Sequence, residues 1–288
     1  MSYSRSSTLR HALSASVWWA HRLSVVQGIV AAAKTVFVMA LLGITAPAAP
    51  IAVALVSFGV YAANDLADAD EDAINCPGRA SLVSRRPLAI GLLAAAAVLA
   101  AAVLALLAGG PVALGVTSVP VLAALLYSVP VPGHRRLKDV FAVNTLLVST
   151  AWAVTVTGLP VALAGAPVDG WTIAVCLLLC LRSVVSVELF NVRDVAGDTA
   201  AGVRTLPVVL GVARTRQVLA GVDVLSVAVL LAVGLWSVAG VVALAAVPVV
   251  CGSFGLLWAV GRSDRIEPLC LAKDVEYLLL GTVGLLAL

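Results

Sequence analysis

The feature that most constrains this chain is an alternation. Apolar runs of about twenty residues follow one another, and the connections between them carry basic charge only every second time. Stretches long enough to cross a bilayer fall at 23–43, 48–64, 88–108, 112–128, 141–160, 171–190, 217–236, 239–260 and 271–288. The connections after the second, fourth, sixth and eighth carry Arg79, Arg85, Arg86, Arg135, Arg136, Lys138, Arg193, Arg204, Arg214, Arg216, Arg262 and Arg265. Those after the first, third, fifth and seventh carry no Lys or Arg and a single acid, Asp169. Hydrocarbon admits backbone only where its polar groups are satisfied internally, so runs of this length read as helices. The basic bias places the N-terminus and every charged connection in the cytoplasm. The expectation is an all-α integral membrane protein of the cytoplasmic membrane, a bundle of nine transmembrane helices with a cytoplasmic cap. Residues 1–22 form a cytoplasmic tail and 23–288 a single domain.

Composition matters where it excludes. Only 11% of residues are charged and 62% are hydrophobic, against about 25% charged in a soluble domain. The lipid bilayer is therefore a partner. Nucleic acid is not: the net charge is +3, with no basic tract interleaved with aromatics. The first apolar run begins near Leu23 with no small-residue cleavage site at short range, so it reads as a membrane helix and not a removed signal. Cys76, Cys176, Cys180, Cys251 and Cys270 include no CxxC pair and read as reduced structural thiols. His11, His21 and His134 lack metal-ligand spacing, and Gly109-Gly110 is a turn rather than a phosphate loop.

The chemistry concentrates at two helix ends on the charged face. After the second run the chain reads Asn64-Asp65-Leu66-Ala67-Asp68-Ala69-Asp70-Glu71-Asp72. Asn64, Asp68 and Asp72 recur at intervals of four, one face of a helix, with Asp70 pointing away. Carboxylates so close resist ionising together unless a cation lies between them. Hard oxygens around a small divalent ion, completed by phosphate oxygens, are how Mg²⁺ is usually held. The sixth run ends in a second such set, Glu188, Asn191, Asp194 and Asp198. One acidic run at a helix end is ordinarily just solvated. Two periodic runs on one membrane face, each followed by basic residues, point to one shared metal and diphosphate site. Diphosphates need cations that stay bound as they leave, and Arg79, Arg85, Arg136 and Lys138 are placed for that. Two cations lie deeper, Lys34 and Arg182, and intramembrane cations face a partner or a cavity. Lys34 can pair with the acids or touch the substrate, while Arg182 has Asp223 as an alternative partner.

These residues resemble the UbiA superfamily of intramembrane prenyltransferases. The family pattern NDxxDxxxD matches Asn64, Asp65, Asp68 and Asp72. Its continuation NxPxRP matches Asn75, Pro77 and Arg79, with Ala80 in place of the last Pro. The Arg of the following SGR element corresponds to Arg85, after Ser84 in place of Gly. The pattern DxxGDxxxGxxTLPxxxG matches Asp194, Gly197, Asp198, Gly202, Thr205, Leu206, Pro207 and Gly211, and Asn191 stands where many members have an acid. A Tyr followed by a basic patch is matched by Tyr127 and by Arg136 and Lys138 across a longer loop.

The resemblance implies Mg²⁺-dependent ionisation of an isoprenyl diphosphate in a cavity open laterally to lipid. It assigns Asn64, Asp65, Asp68, Asp72, Asn191, Asp194 and Asp198 to the metal. Arg79, Arg85, Arg136, Lys138 and Lys34 go to the diphosphate. Asp68, Asp72, Asp194, Asp198, Lys138 and Tyr127 stand nearest the chemistry. The acceptor is an aromatic, a lipid or a sugar, or there is none, as in the family's terpene cyclases. A transporter would instead gather its polar groups on broken helices near the membrane midplane.

Overall fold

The computed structural model describes residues 24–69, 73–74, 77–128, 136–236, 240–262 and 266–288. Regular structure among them is helical: α1 (Val25–Leu42), α2 (Ala48–Ala67), α3 (Pro77–Arg85), α4 (Pro87–Ser128), α5 (Val143–Ala164), α6 (Gly170–Ala201), α7 (Leu206–Leu210), α8 (Val212–Trp236), α9 (Gly240–Ala259) and α10 (Glu267–Leu285). A 3₁₀ turn, Leu137–Asp139, precedes α5. The long helices form a ring. α1 packs on α2, α2 on α4, α4 on α5, α5 on α6, α6 on α8, α8 on α9 and α9 on α10, which returns to α1. Outward-facing Leu88, Leu107 and Val241 are each at least 80% exposed, as a lipid-facing surface requires.

Among the described residues seven stretches are long and apolar enough to cross a membrane, the architecture of a multi-pass membrane protein. Nine were expected, and two features account for the difference. The third and fourth expected spans form one helical stretch, α4, whose backbone leaves the helix at Gly110 (φ 69°, ψ −162°). Ala101 and Val121, on opposite sides of that break, pack in one cluster with Val56 and Trp152, so both limbs lie against the same neighbours. The ninth expected span, α10, carries Glu267, Lys273, Asp274 and Glu276, too many charges for an apolar span.

Several buried threonine hydroxyls are satisfied within their own helices. Thr35 donates to Ala31 O at 2.9 Å, Thr117 to Ala113 O at 2.8 Å and Thr155 to Ala151 O at 2.8 Å. Asp169, the lone acid of the uncharged connections, caps α6. Its Oδ1 accepts from the Thr172 backbone N–H at 2.9 Å and the Thr172 hydroxyl at 3.0 Å, which holds the carboxyl below its usual range. At 32 residues α6 spans about 48 Å, so with a hydrocarbon core of about 30 Å its last turns project beyond it. The second acidic motif sits on those turns.

The ring closes where α10 meets α1, and small residues set that distance. A Cβ on Gly284 would lie 2.7 Å from Phe37 Cα, and one on Gly281 2.7 Å from Ala33 Cβ. Gly284→Val should therefore cost about 1–3 kcal/mol, read as a lower melting temperature of the detergent-solubilised protein. Gly115→Ala, with nothing within 4 Å of the added methyl, should not lower it. Equal melting temperatures for both variants and the parent would mean that α1–α10 contact does not hold the ring shut.

Candidate active site

The first motif is fixed by the end of α2. The helix stops at Ala67, and Asp68 caps it with φ −105° and ψ 16°, its N–H still bonded to Asn64 O. The Asn64 amide donates to Asp68 Oδ2 at 2.9 Å, so the expected adjacency holds for this pair. The helical face does not run on unbroken, because Asp68 already leaves helical geometry. Asp70, Glu71, Asp72, Asn75 and Cys76 lie outside the described residues. Asp65 is buried and held from two sides: Arg79 of α3 donates to Oδ1 at 2.9 Å, and Ser24 donates to Oδ2 at 2.5 Å.

The second motif is fixed by how α6 ends. Gly202 takes a left-handed conformation (φ 74°), and the N–H groups of Gly202 and Val203 return to Thr199 O and Asp198 O. A side chain at position 202 would strain that cap. The chain then turns into α7, where Thr205 donates to Asp198 Oδ2 at 3.2 Å and Pro207 occupies the first turn. Arg193 clamps Asp194 with two bonds of 2.7 Å. Each part of the Gly-x-x-Thr-Leu-Pro segment thus serves to place Asp198.

Both motifs face one cavity of about 280 Å³. Asn64, Asp65, Asp68 and Arg79 line it from one side, Asn191, Arg193, Asp194 and Asp198 from the other, and Tyr127 from α4. Its body is apolar, lined by Val30, Val60, Val148, Ala151 and Val156, and by Trp152, which stacks on Tyr61 at 5.5 Å between ring centroids. Gln27, Lys34 and Asp274 also line it. Among the described residues no three His, Cys, Asp or Glu side chains form a ready-made metal cage.

Other expected residues lie elsewhere. Arg85 is exposed at the end of α3, away from the cavity, and Arg136 pairs with Asp139 at 3.1 Å, also away from it. Lys138 falls in the 3₁₀ turn. Glu188, which spacing groups with the second motif, is fully buried and accepts from the Thr145 hydroxyl of α5. The second motif begins at Asn191. Arg182 does not reach the cavity either. It bonds Asp223 of α8 and Glu276 of α10, while Lys273 pairs with Glu276 at 2.8 Å and Tyr277 donates to Arg182 O at 2.7 Å. Lys34 does face the cavity, its Nζ 3.8 Å above the Tyr277 ring. Gln27, Arg193 and Asp274 were not singled out from sequence. Arg193 adjoins Asp194, a usable signal; Gln27 sits in an apolar helix and Asp274 among the other charges of α10, neither within a recognisable motif. Cys176, Cys180, Cys251 and Cys270 are free thiols.

A ring of membrane helices around a cavity with an acid-lined rim and an apolar body defines a membrane-embedded enzyme. The chain belongs to the UbiA prenyltransferase family, whose profile matches residues 13–270, and is an enzyme of the prenyltransferase class. It is 32% identical over 219 residues to digeranylgeranylglyceryl phosphate synthase of Natronomonas pharaonis, covering 73% of each chain. It is 31% identical over 227 residues to the same enzyme of Halobacterium salinarum, covering 77% of this chain and 72% of that one. Among solved structures, a UbiA homologue from Archaeoglobus fulgidus bound to DMAPP and Mg²⁺ superposes with a TM-score of 0.70 at 16% identity, over 92% of this chain and 97% of that one. An apo UbiA homologue from Aeropyrum pernix gives 0.64 at 19% identity, over 90% and 96%.

The buried network separates structural from functional cations. Arg182→Met should leave Asp223 without its cation and Glu276 with Lys273 alone, and cost about 3–5 kcal/mol, seen as loss of monodisperse protein on size exclusion. Arg79→Met, at the half-buried rim, should stay folded. An Arg182→Met protein as stable as the parent would refute the structural assignment.

Proposed function

We propose that the protein transfers a prenyl group from an isoprenyl diphosphate to a second substrate, releasing diphosphate, with Mg²⁺ at the rim of the cavity. The observation that carries this reading is the meeting of two acidic motifs, from α2 and α6, on one cavity with an apolar body. The donor set suits Mg²⁺: hard oxygens from Asn64, Asp65, Asp68, Asn191, Asp194 and Asp198, with room for phosphate oxygens to complete the shell. Asn191 lies on the cavity wall, where its amide can reach a phosphate oxygen. Asp72 belongs to the same set by its place in the first motif. When bound, Mg²⁺ would neutralise charge on the departing diphosphate.

The chain's own residues do the rest. Arg79, fixed on Asp65 and lining the cavity, would face the diphosphate. Arg193 and Thr205 hold Asp194 and Asp198 in position before substrate arrives. Val30, Val60, Val148 and Val156 take the apolar tail and keep water from the allylic carbon. Tyr127 faces the same space and stands near the reacting carbon. Arg79 lines the rim of the cavity and Arg85 and Arg136 do not, which supports Arg79 as the diphosphate contact; Lys34 lies on the same cavity wall outside that contact. Lys138 keeps its place by sequence motif.

The relatives' name points to a glyceryl lipid as the first acceptor to test. Counting the two limbs of α4 separately, and α10 as the last crossing, gives nine crossings, with the site facing the cytoplasm of the cytoplasmic membrane.

Purified protein should release diphosphate from a prenyl diphosphate only with Mg²⁺ and acceptor, lose that activity in EDTA and regain it with Mg²⁺. Asp68→Ala and Asp194→Ala should each lower the rate by about a hundredfold or more, while Arg85→Ala stays near the parent. A terpene hydrocarbon or alcohol formed without acceptor would make the protein a cyclase. Full turnover in metal-free buffer would refute the mechanism.

A further inference from the structure

Beneath the acidic rim the cavity has a second polar place, one the diphosphate reading does not use. Lys34 of α1 and Asp274 of α10 are electrostatic neighbours on its wall, and Gln27 lies two helical turns from Lys34 on the same wall. Asp274 is 5% exposed, and its Oδ2 has no hydrogen-bond partner; Gln27 Oε1 is also buried and without one. Two unpartnered acceptor atoms on the wall of an apolar chamber are costly unless something donates to them. Depth follows from neighbouring contacts. Cys270, one turn before Asp274, approaches Leu189 O, whereas Tyr277, one turn after, bonds Arg182 O. Asp274 therefore lies level with residues between 182 and 189 of α6, deeper than Asn191 and Asp194.

The charges around the pair narrow the ligand. Lys34 is the foremost cationic neighbour of Asp274, with Arg193 and Lys273 further contributors. Lys273 is already paired with Glu276. A cation bound here would meet Lys34, and an anion would meet Asp274. What suits two free acceptors in a locally balanced field is a neutral group with a hydrogen to donate. We infer that Gln27, Lys34 and Asp274 form the subsite for the second substrate, and that it takes a neutral hydroxyl, alcohol or phenol, whose O–H donates to Asp274 Oδ2 or Gln27 Oε1. This rests on the transfer reading above. It also gives that reading what it lacks, a polar anchor for the nucleophile below the departing diphosphate and beside the apolar tail.

The test is binding, with 4-butylphenol as probe and its methyl ether, 4-butylanisole, as the matched compound without a donor. Trp152 faces the cavity, so the intrinsic fluorescence of nanodisc-embedded protein reports occupancy, with Trp152→Phe as the control for signal origin. The phenol should bind at least about tenfold more tightly than the ether, as one hydrogen bond to a charged acceptor allows. Asp274→Ala and Gln27→Leu should each reduce that preference to within about twofold, while geranyl diphosphate with Mg²⁺ binds as in the parent. The second variant keeps the test decisive where loss of Asp274 harms folding, because Gln27 takes part in helix packing through its backbone O, an acceptor for Ser57. Equal binding of phenol and ether, or a preference untouched by both variants, would overturn the subsite. Failure of geranyl diphosphate to bind the parent, with the phenol preference intact, would instead overturn the transfer reading and leave an alcohol site.

Discussion

Water is absent from the hydrocarbon, so every polar atom inside this bundle needs a protein or ligand partner. The helices answer for the backbone, and the hydroxyls of Thr35, Thr117 and Thr155 return to carbonyls of their own helices. The charges are answered by the ring. Arg182, Asp223, Lys273 and Glu276 come from three helices and are mutually paired, and Glu188 is met by Thr145. These contacts fix how α5, α6, α8 and α10 sit against one another, since a slip of one turn would leave a charge alone in an apolar interior. α10 is more polar than its neighbours because it carries two members of that network. The close approach of Gly281 and Gly284 to α1 then shuts the ring.

The cavity is what this packing leaves open. Its rim is polar because two helices end there, and helix ends are where acids can be solvated, capped and gripped by nearby arginines. α2 ends at Asp68, and α6 overshoots the hydrocarbon and ends at Gly202. The body is apolar because the inner faces of α1, α2, α4 and α5 are valine, alanine and tryptophan. An amphiphile with a polyanionic head and a branched hydrocarbon tail is the natural occupant of that shape. The acids at the rim are already bonded to Arg79, Arg193 and Thr205, so a metal and diphosphate enter a site whose geometry is set beforehand.

Much of this was legible in the sequence, for reasons that can be named. Hydropathy and the alternation of basic connections carry the all-helical membrane fold, and the pairing of Asn64 with Asp68 follows from helical spacing. The meeting of the two motifs was inferred from their common face, and the cavity shows it. What misled was periodicity applied without the third dimension. Glu188 has the spacing of its neighbours but lies where α6 is buried against α5, off the cavity wall, and is met by Thr145. Arg85 and Arg136 have motif positions yet do not line the cavity; Arg136 is paired with Asp139 three residues on. Gln27, a single polar residue in an apolar run, and Asp274, one of several charges along α10, gave no signal, since a buried polar residue reads the same whether it faces a cavity or a neighbouring helix.

The central claim is that the motifs of α2 and α6 hold one ligand between them. A double-mutant cycle on geranyl diphosphate affinity in Mg²⁺ tests it most directly, using the parent, Asp68→Ala, Asp194→Ala and the double variant. If both carboxylates act on one metal–diphosphate unit, the double variant should bind little worse than the weaker single one, a coupling of about 1 kcal/mol or more. Losses that add to within about 0.3–0.5 kcal/mol would show two independent sites and contradict the account.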